Sequence, residues 1–184
     1  AAMVSCQQPQ AEQPTKSGLL PSNFQTEQDG KQTGLFVLTN ENGMEVCFTN
    51  FGGRIVSIMV PDKNGNFTDV CHGHDNIADY IKYGADGCNF GALIGRYGNR
   101  IGNSKFTLDD QEYQLVANDH GNSLHGGGKT AFHNRMWDAN QVDEKTLEFT
   151  TTSPDGEDGY PGTVEVKETT ATISVFYVLP EGEI

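Results

Sequence analysis

Residues 34–65 read GLFVLTNENGMEVCFTNFGGRIVSIMVPDKNG, and this stretch carries the pattern that decides the fold. Three short runs rich in branched and aromatic residues have the composition of β-strands: 35–39, 45–49 and 54–60. Turn-forming dipeptides separate or follow these runs: Asn42-Gly43, Gly52-Gly53 and Asn64-Gly65. Asn and Gly adopt positive φ at little energetic cost, so such dipeptides favour tight turns. The stretch therefore predicts strands joined by hairpins.

The same pattern continues toward the carboxyl end. Strand-like runs recur at short spacing: 105–108, 112–116, 146–150, 163–166 and 171–178. Only residues 75–83 have the pattern of a short helix, with Asp75 or Asn76 as the N-cap. Many short strands with almost no helical periodicity predict an all-β protein built as an antiparallel β-sandwich.

The two ends of the chain differ from its middle. Residues 1–6 resemble the end of a bacterial lipoprotein signal, in which small residues lead into a cysteine that can be lipidated, here Cys6. Polar residues dominate up to residue 33, which predicts a signal remnant and flexible tether over 1–33 and a sandwich domain over 34–184. The chain stops at Ile184, just after a predicted turn, which predicts a sandwich cut short at its carboxyl end.

Charge limits the possible partners. The 184 residues carry a formal net charge of -13 at pH 7, which disfavours nucleic acid and anionic lipid and favours a neutral small molecule. No apolar run approaches the roughly 20 residues of a membrane-spanning helix, so membrane attachment is expected only through lipid at Cys6. The lipoprotein-like start predicts a bacterial cell-envelope or periplasmic location, with a cytoplasmic location as the alternative. The other cysteines, Cys47, Cys71 and Cys88, are odd in number and predict no disulfide framework.

Two segments carry side chains suited to a polar ligand: Gly95-Arg96-Tyr97-Gly98-Asn99-Arg100-Ile101 and Asn122-Ser123-Leu124-His125-Gly126-Gly127-Gly128. Guanidinium and amide groups are donors that suit sugar hydroxyls, and an imidazole exchanges a proton near neutral pH. The glycines after His125 are expected to let a ligand approach the backbone. Ordinary alternatives stay open, because arginines pair with surface carboxylates and loop histidines are often plain surface residues.

Together these segments resemble the aldose 1-epimerase family. The resemblance covers roughly residues 34–179 and takes in further local patterns: residues 49–53, 60–65, 75–80 and 153–162, and Trp137. It implies the amino-terminal part of a galactose mutarotase-like supersandwich, in an enzyme that interconverts the α and β anomers of hexoses such as galactose and glucose without a cofactor.

The resemblance also implies roles for single residues. Asn99 and Arg100 match family positions that line the sugar pocket, and His125 matches the histidine that hydrogen-bonds the sugar near the reacting centre. Three further matches imply a structural role: Arg96, Tyr97 and Asp155.

The chain departs from the family at the residues that move protons. The family's principal general acid is a histidine in an Asn-His-x-Tyr-Phe-Asn type segment, and its general base is a glutamate near the carboxyl end; neither segment occurs here. His133, in Phe132-His133-Asn134, does not fit that context. The resemblance therefore predicts an active full-length enzyme and an isolated chain with little or no turnover.

Two other interpretations remain. A non-catalytic carbohydrate-binding module on a bacterial cell envelope fits the lipoprotein-like start and the missing acid and base. A metal site is suggested by His72-x-His74, which would put two imidazoles on one face of a strand, but no convincing third ligand accompanies them and no metal is expected.

Overall fold

The computed structural model describes residues 12–85 and 87–171, so Cys6 and the predicted strand and turn beyond residue 171 lie outside the described part. The strands and the α-helix follow in chain order: β1 Glu27–Gln28, β2 Lys31–Gln32, β3 Leu35–Thr39, β4 Glu45–Thr49, β5 Arg54–Pro61, β6 Phe67–Asp69, α1 Ile77–Ala85, β7 Arg100–Ile101, β8 Lys105–Leu108, β9 Gln111–Gln114, β10 Ser123–Leu124, β11 Asp138–Asp143, β12 Thr146–Ser153 and β13 Val164–Ala171. Short 3₁₀ turns lie at Pro21–Phe24, Gly102–Ser104, Phe132–Asn134 and Glu157–Gly159.

The stretch that decides the fold forms an antiparallel sheet in the order β3-β4-β5-β6. Strands β3 and β4 begin and end where the sequence predicts, and β5 runs one residue further, to Pro61. All five residues of β4 are buried, so this strand is covered on both faces. A sheet covered on both faces needs two layers of packing partners.

The first layer is a second antiparallel sheet, β11-β12-β13. Phe149 of β12 contacts the rings of Phe36 and Phe48 at centroid distances of 6.2 and 6.4 Å. Trp137 and Leu147 are buried in the same cluster. The predicted all-β antiparallel architecture is therefore confirmed, with the core between the two sheets.

The second layer corrects the predicted tether. Leu19 and Phe24 are buried with Cys47 and Tyr80 on the other face of the first sheet, and Phe24 is 0% exposed. The hydroxyl of Thr33 donates to the carbonyl oxygen of Phe24 at 2.6 Å. The tether boundary at residue 33 is wrong for the segment from Leu19 onward, because a few large apolar side chains anchor it despite its polar average composition.

Helix α1 confirms the predicted helix and identifies its cap. The Oδ1 atom of Asn76 accepts from the backbone N–H of Asp79 at 2.9 Å, and the Nδ2 atom of Asn76 donates to the Asp79 carboxylate at 2.8 Å. This reciprocal pair satisfies a backbone donor that the first turn leaves free. Asn76, rather than Asp75, is the N-cap.

Strand β13 differs from the prediction. The sequence predicts one strand over 163–166 and another from 171, yet Val164–Ala171 is continuous and pairs with β12 along its length. Most of its residues are exposed, so the polar run 167–170 carries no apolar alternation that would mark a strand.

The spacing argument for a metal site is also wrong. His72 and His74 lie in irregular chain between β6 and α1 and not on a strand. The ring of His74 instead packs against Tyr80 and Tyr83, at centroid distances of 4.9 and 5.3 Å. Within residues 12–85 and 87–171, no three His, Cys, Asp or Glu side chains are grouped so that they could hold a metal ion. No helix in the same ranges is long and apolar enough to cross a membrane.

Candidate active site

A two-residue ladder brings the two ligand-suited segments together. Strands β7 and β10 pair antiparallel, with Leu124 opposite Arg100 and Ser123 opposite Ile101. His125 follows β10 directly, and Asn99 precedes β7, so the ladder places these two residues side by side.

Two hydrogen bonds join Asn99 to His125. The backbone N–H of Asn99 donates to Nδ1 of His125 at 3.0 Å, and the backbone N–H of His125 donates to the carbonyl oxygen of Asn99 at 2.9 Å. A neutral imidazole that accepts at Nδ1 carries its proton on Nε2. The half-buried His125 is therefore held with Nε2–H as a donor that has no hydrogen-bond partner among the described residues.

Both residues adopt left-handed backbone conformations, with φ of 62° at Asn99 and 55° at His125. Asn and His are among the non-glycine residues that tolerate this region best. The turns at these two positions direct the backbone N–H and C=O of Asn99 toward His125. The backbone conformation therefore fixes the contact between the two residues.

Arg100 is anchored at one end of its guanidinium. Its Nε donates to Oδ2 of Asp119 at 2.5 Å, and Nη1 makes a longer bond of 3.4 Å with Oδ1 of Asn99. The hydrogen bonds from Arg100 and then His120 hold the pKa of Asp119 below its ordinary value. The arginine does pair with a carboxylate, as the ordinary interpretation expects, but through Nε alone. Its side chain is 54% exposed, so the Nη edge stays accessible.

Arg96 uses its hydrogen-bond donors within the protein. Its three nitrogens donate to the side chain and backbone of Ser153 and to the carbonyl oxygens of Pro154, Pro161 and Gly162. Asp155 closes the same loop by accepting from the backbone N–H of Gly162 at 2.5 Å. These contacts agree with the structural role that the resemblance implies for Arg96 and Asp155.

The glycines after His125 serve a purpose other than the expected one. A Cβ atom at Gly126 would lie 1.7 Å from the carbonyl oxygen of Gly95 and 2.6 Å from the nitrogen of Arg96. Gly126 is buried, with φ of 89°. The missing side chain thus admits the backbone of the other site segment, not a ligand.

A hollow of about 440 Å³ borders the exposed edge of Arg100. Six side chains line this hollow: Arg96, Tyr97, Arg100, Ile101, Phe106 and Tyr160. Tyr97 is 52% exposed at the hollow. A larger hollow of about 710 Å³ lies between Asp29, Phe51 and Arg135 and includes none of the three predicted sugar-contacting residues. The arrangement of donors, and not the size of the hollow, identifies the site.

Behind the site lies a buried cation that the sequence reasoning missed. Arg54 is 0% exposed and donates to the carbonyl oxygens of Phe90 and His133 at 3.2 and 2.9 Å. Burial, followed by the electrostatic influence of Arg54 and then of His125, lowers the pKa of His133 to about 4. His133 is therefore a neutral structural residue at neutral pH. No periodic pattern marks either residue, because their burial depends on loops that are distant in sequence.

Comparisons with known proteins concern the family and the fold. A family model described as aldose 1-epimerase matches residues 34–171. Galactose mutarotase of Bos taurus is 38% identical over 141 residues, which are 77% of this chain and 38% of that protein. Aldose 1-epimerase of Haemophilus influenzae is 36% identical over 143 residues, 77% of this chain and 39% of that protein.

Solved structures show the same likeness. The aldose epimerase homologue from C. elegans superposes with a TM-score of 0.69 at 28% identity, over 76% of this chain and 42% of that chain. Galactose 1-epimerase from Lactobacillus acidophilus gives a TM-score of 0.67 at 24% identity, over 78% and 41%, which supports the fold. The chain spans about two fifths of the length of these relatives.

Proposed function

The chain belongs to the aldose 1-epimerase family, and we propose that the full-length protein interconverts the α and β anomers of a hexose such as galactose or glucose. The relatives named galactose mutarotase and aldose 1-epimerase support the reaction. The observation that carries the site assignment is the pair of hydrogen bonds between Asn99 and His125, beside the anchored Arg100.

Mutarotation requires two proton movements. A base removes the proton of the anomeric hydroxyl while an acid protonates the ring oxygen, the ring opens, the aldehyde turns, and the ring closes again. Proton transfer alone completes the reaction, so the proposal includes no cofactor.

The described residues supply hydrogen-bond donors for this reaction. The Nη groups of Arg100 can bind sugar hydroxyls by charge-assisted hydrogen bonds, and the amide of Asn99 adds a neutral donor and acceptor. Nε2–H of His125 can donate to the oxygen that gains charge as the ring opens. His125 thus supports the reaction by binding, while the family's acid and base positions have no counterpart in these 184 residues. We propose that those two groups come from other parts of the full-length protein.

Polarimetry of freshly dissolved α-galactose tests the function directly. We expect the full-length protein to accelerate the first-order change in rotation, and His125→Ala to lower kcat by about 10²-fold, the typical loss for one donor to developing charge. His72→Ala is the matched control, because His72 is an exposed histidine outside the site. If the His125→Ala variant is as active as the His72→Ala control, the role assigned to His125 is contradicted.

The isolated chain separates catalysis from binding. We expect residues 1–184 alone to give no acceleration. Acceleration by this chain that vanishes in His125→Ala would show that its active site is complete after all. Sugar binding by the full-length protein without any acceleration would instead support the non-catalytic carbohydrate-binding alternative.

Attachment to a bacterial envelope is a separate proposal. It rests on the sequence before and at Cys6, which lies outside the described residues. Mass spectrometry of the amino-terminal peptide from the native host tests it: a diacylglyceryl thioether on Cys6 supports the anchor, and an unmodified thiol in a cytoplasmic fraction supports the alternative.

A further inference from the structure

We propose that Asp119 is a positioning residue, whose carboxylate fixes the guanidinium of Arg100 so that its Nη groups meet the sugar. The inference rests on the proposed function and adds to it a residue that never touches the substrate. It is carried by the geometry of one turn and one ion pair.

The turn that holds Asp119 is itself tied to the site. The backbone N–H of Asp119 donates to the carbonyl oxygen of Asn122 at 3.0 Å, and the N–H of Asn122 donates back to Asp119 at 2.8 Å. The side chain of Asn118 makes two hydrogen bonds with the backbone of Leu124: Oδ1 accepts from its N–H at 2.7 Å, and Nδ2 donates to its carbonyl oxygen at 3.0 Å. Asp119 thus stands at a fixed position relative to β10 and His125.

The carboxylate of Asp119 is shared between two partners. Oδ2 accepts from Nε of Arg100, and Oδ1 lies 2.9 Å from Nδ1 of His120. The side chain of Asp119 is only 16% exposed, whereas that of His120 is 94% exposed. The better-shielded of the two contacts is therefore the one to Arg100.

Holding Arg100 by Nε has a definite consequence for its other donors. Among the described residues, Nη2 of Arg100 has no hydrogen-bond partner, and Nη1 has only the 3.4 Å contact with Asn99. A long arginine side chain that is half exposed samples many rotamers, and one fixed nitrogen removes most of that freedom before the ligand arrives. Asp119 therefore preorganises the two nitrogens that remain available to hydroxyls.

Asp119→Asn in the full-length protein tests the inference, because it keeps the shape and removes the charge. We expect kcat/KM to fall by about fivefold, the upper end for a partly exposed ion pair, mainly through a higher KM. Asp119→Glu should restore most of the loss, since the longer carboxylate can still reach Nε. Asp110→Asn is the matched control, because Asp110 is an exposed aspartate in the β8–β9 turn and the same charge is removed there.

A double-mutant cycle separates positioning from a merely structural role. In an Arg100→Gln background, Asp119→Asn should change kcat/KM by less than about twofold, because the group through which it acts is gone. Equal losses in both backgrounds, or no loss in the wild-type background, would overturn the inference.

A magnetic-resonance measurement keeps the inference testable without activity. The Nε–H signal of Arg100 should exchange slowly with water in the wild type and quickly in Asp119→Asn. An inactive wild type would refute the proposed function alone, whereas an Nε–H signal that is insensitive to Asp119→Asn would refute the positioning role alone.

Discussion

The contact between Gly126 and Gly95 joins the two halves of the site, and Gly126→Ala is the change that tests it. The added Cβ would lie 1.7 Å from the Gly95 carbonyl oxygen, where ordinary contact requires about 3.5 Å. The two backbones would have to separate by about 2 Å. A shift of that size is comparable with the 3.0 Å bond from Asn99 to His125, which lies one residue away.

The expected cost has two parts. A non-glycine residue at φ of 89° costs about 1–2 kcal/mol, and overpacking against backbone adds about 3 kcal/mol. Gly65→Ala isolates the first part, because Gly65 in the β5–β6 turn has φ of 83° and its added Cβ would meet nothing within 4 Å. We therefore expect Gly126→Ala to lower the free energy of unfolding by about 3 kcal/mol more than Gly65→Ala does.

Urea unfolding and polarimetry of both variants in the full-length protein measure these effects. The displaced loop should also reduce kcat by about 100-fold in Gly126→Ala, since a misplacement of about 1 Å is enough for such a loss. Gly65→Ala should keep nearly all of its activity. If the two variants lose equal stability and both remain active, the close approach of Gly126 to Gly95 does not support the site.

Three further predictions concern the layers around the site. Phe24→Ala should lower the free energy of unfolding by about 3–5 kcal/mol because Phe24 is fully buried, while Leu20→Ala at the surface should cost less than about 0.5 kcal/mol; urea midpoints compare them. Arg96→Lys should cost about 2 kcal/mol in the same assay, because an ammonium group cannot make the forked bonds to the loop at Ser153. Burial lowers the pKa of His133 to about 4, so as pH falls this residue binds a proton in the unfolded chain before it does so in the folded chain. The stability that neutral His133 contributes is therefore lost as pH falls from about 6.5 toward 4. Relative to His133→Leu, the free energy of unfolding of the wild type should fall by about 2 kcal/mol between pH 7 and pH 4.5.

The sequence predicts those elements best whose signals are local. Strands β3 and β4 are flanked by turn dipeptides and carry β-branched and aromatic residues, and both end where predicted. The cap of α1 is equally local, because Asn76 and Asp79 are three residues apart. The packing of Leu19 and Phe24 is not local: it depends on a sheet face formed by later residues, and polar neighbours hide it.

The candidate site likewise combines features with a local sequence signal and features without one. Side-chain chemistry singles out Arg100 and His125, but their approach depends on a ladder of two residues per strand, which is too short to leave a periodic pattern. Only the family resemblance pointed to both positions together. Asp119 left no signal at all, since in a chain of net charge -13 one aspartate near a loop looks like any other.

The two arginines of the first site segment have different roles: Arg96 stabilises the surrounding loop, and Arg100 offers donors to a ligand. Arg96 donates all its N–H groups to the loop at 153–162 and is unavailable to a ligand. Among the described residues, the Nη groups of Arg100, four residues later, have only the 3.4 Å contact with Asn99. The intervening chain turns through the left-handed Asn99, and the two guanidinium groups have different hydrogen-bond partners although both side chains line the same hollow. Because the backbone of this same residue holds His125, the donors proposed to bind the sugar are fixed by the chain path and not by the groups that transfer protons. Under the proposed function, substrate binding and proton transfer then reside in separate stretches of the protein. Damage to the ladder of β7 and β10 should therefore raise KM by loosening the hydroxyl contacts of Arg100, which the ground and transition states share, and should lower kcat as well where it displaces His125.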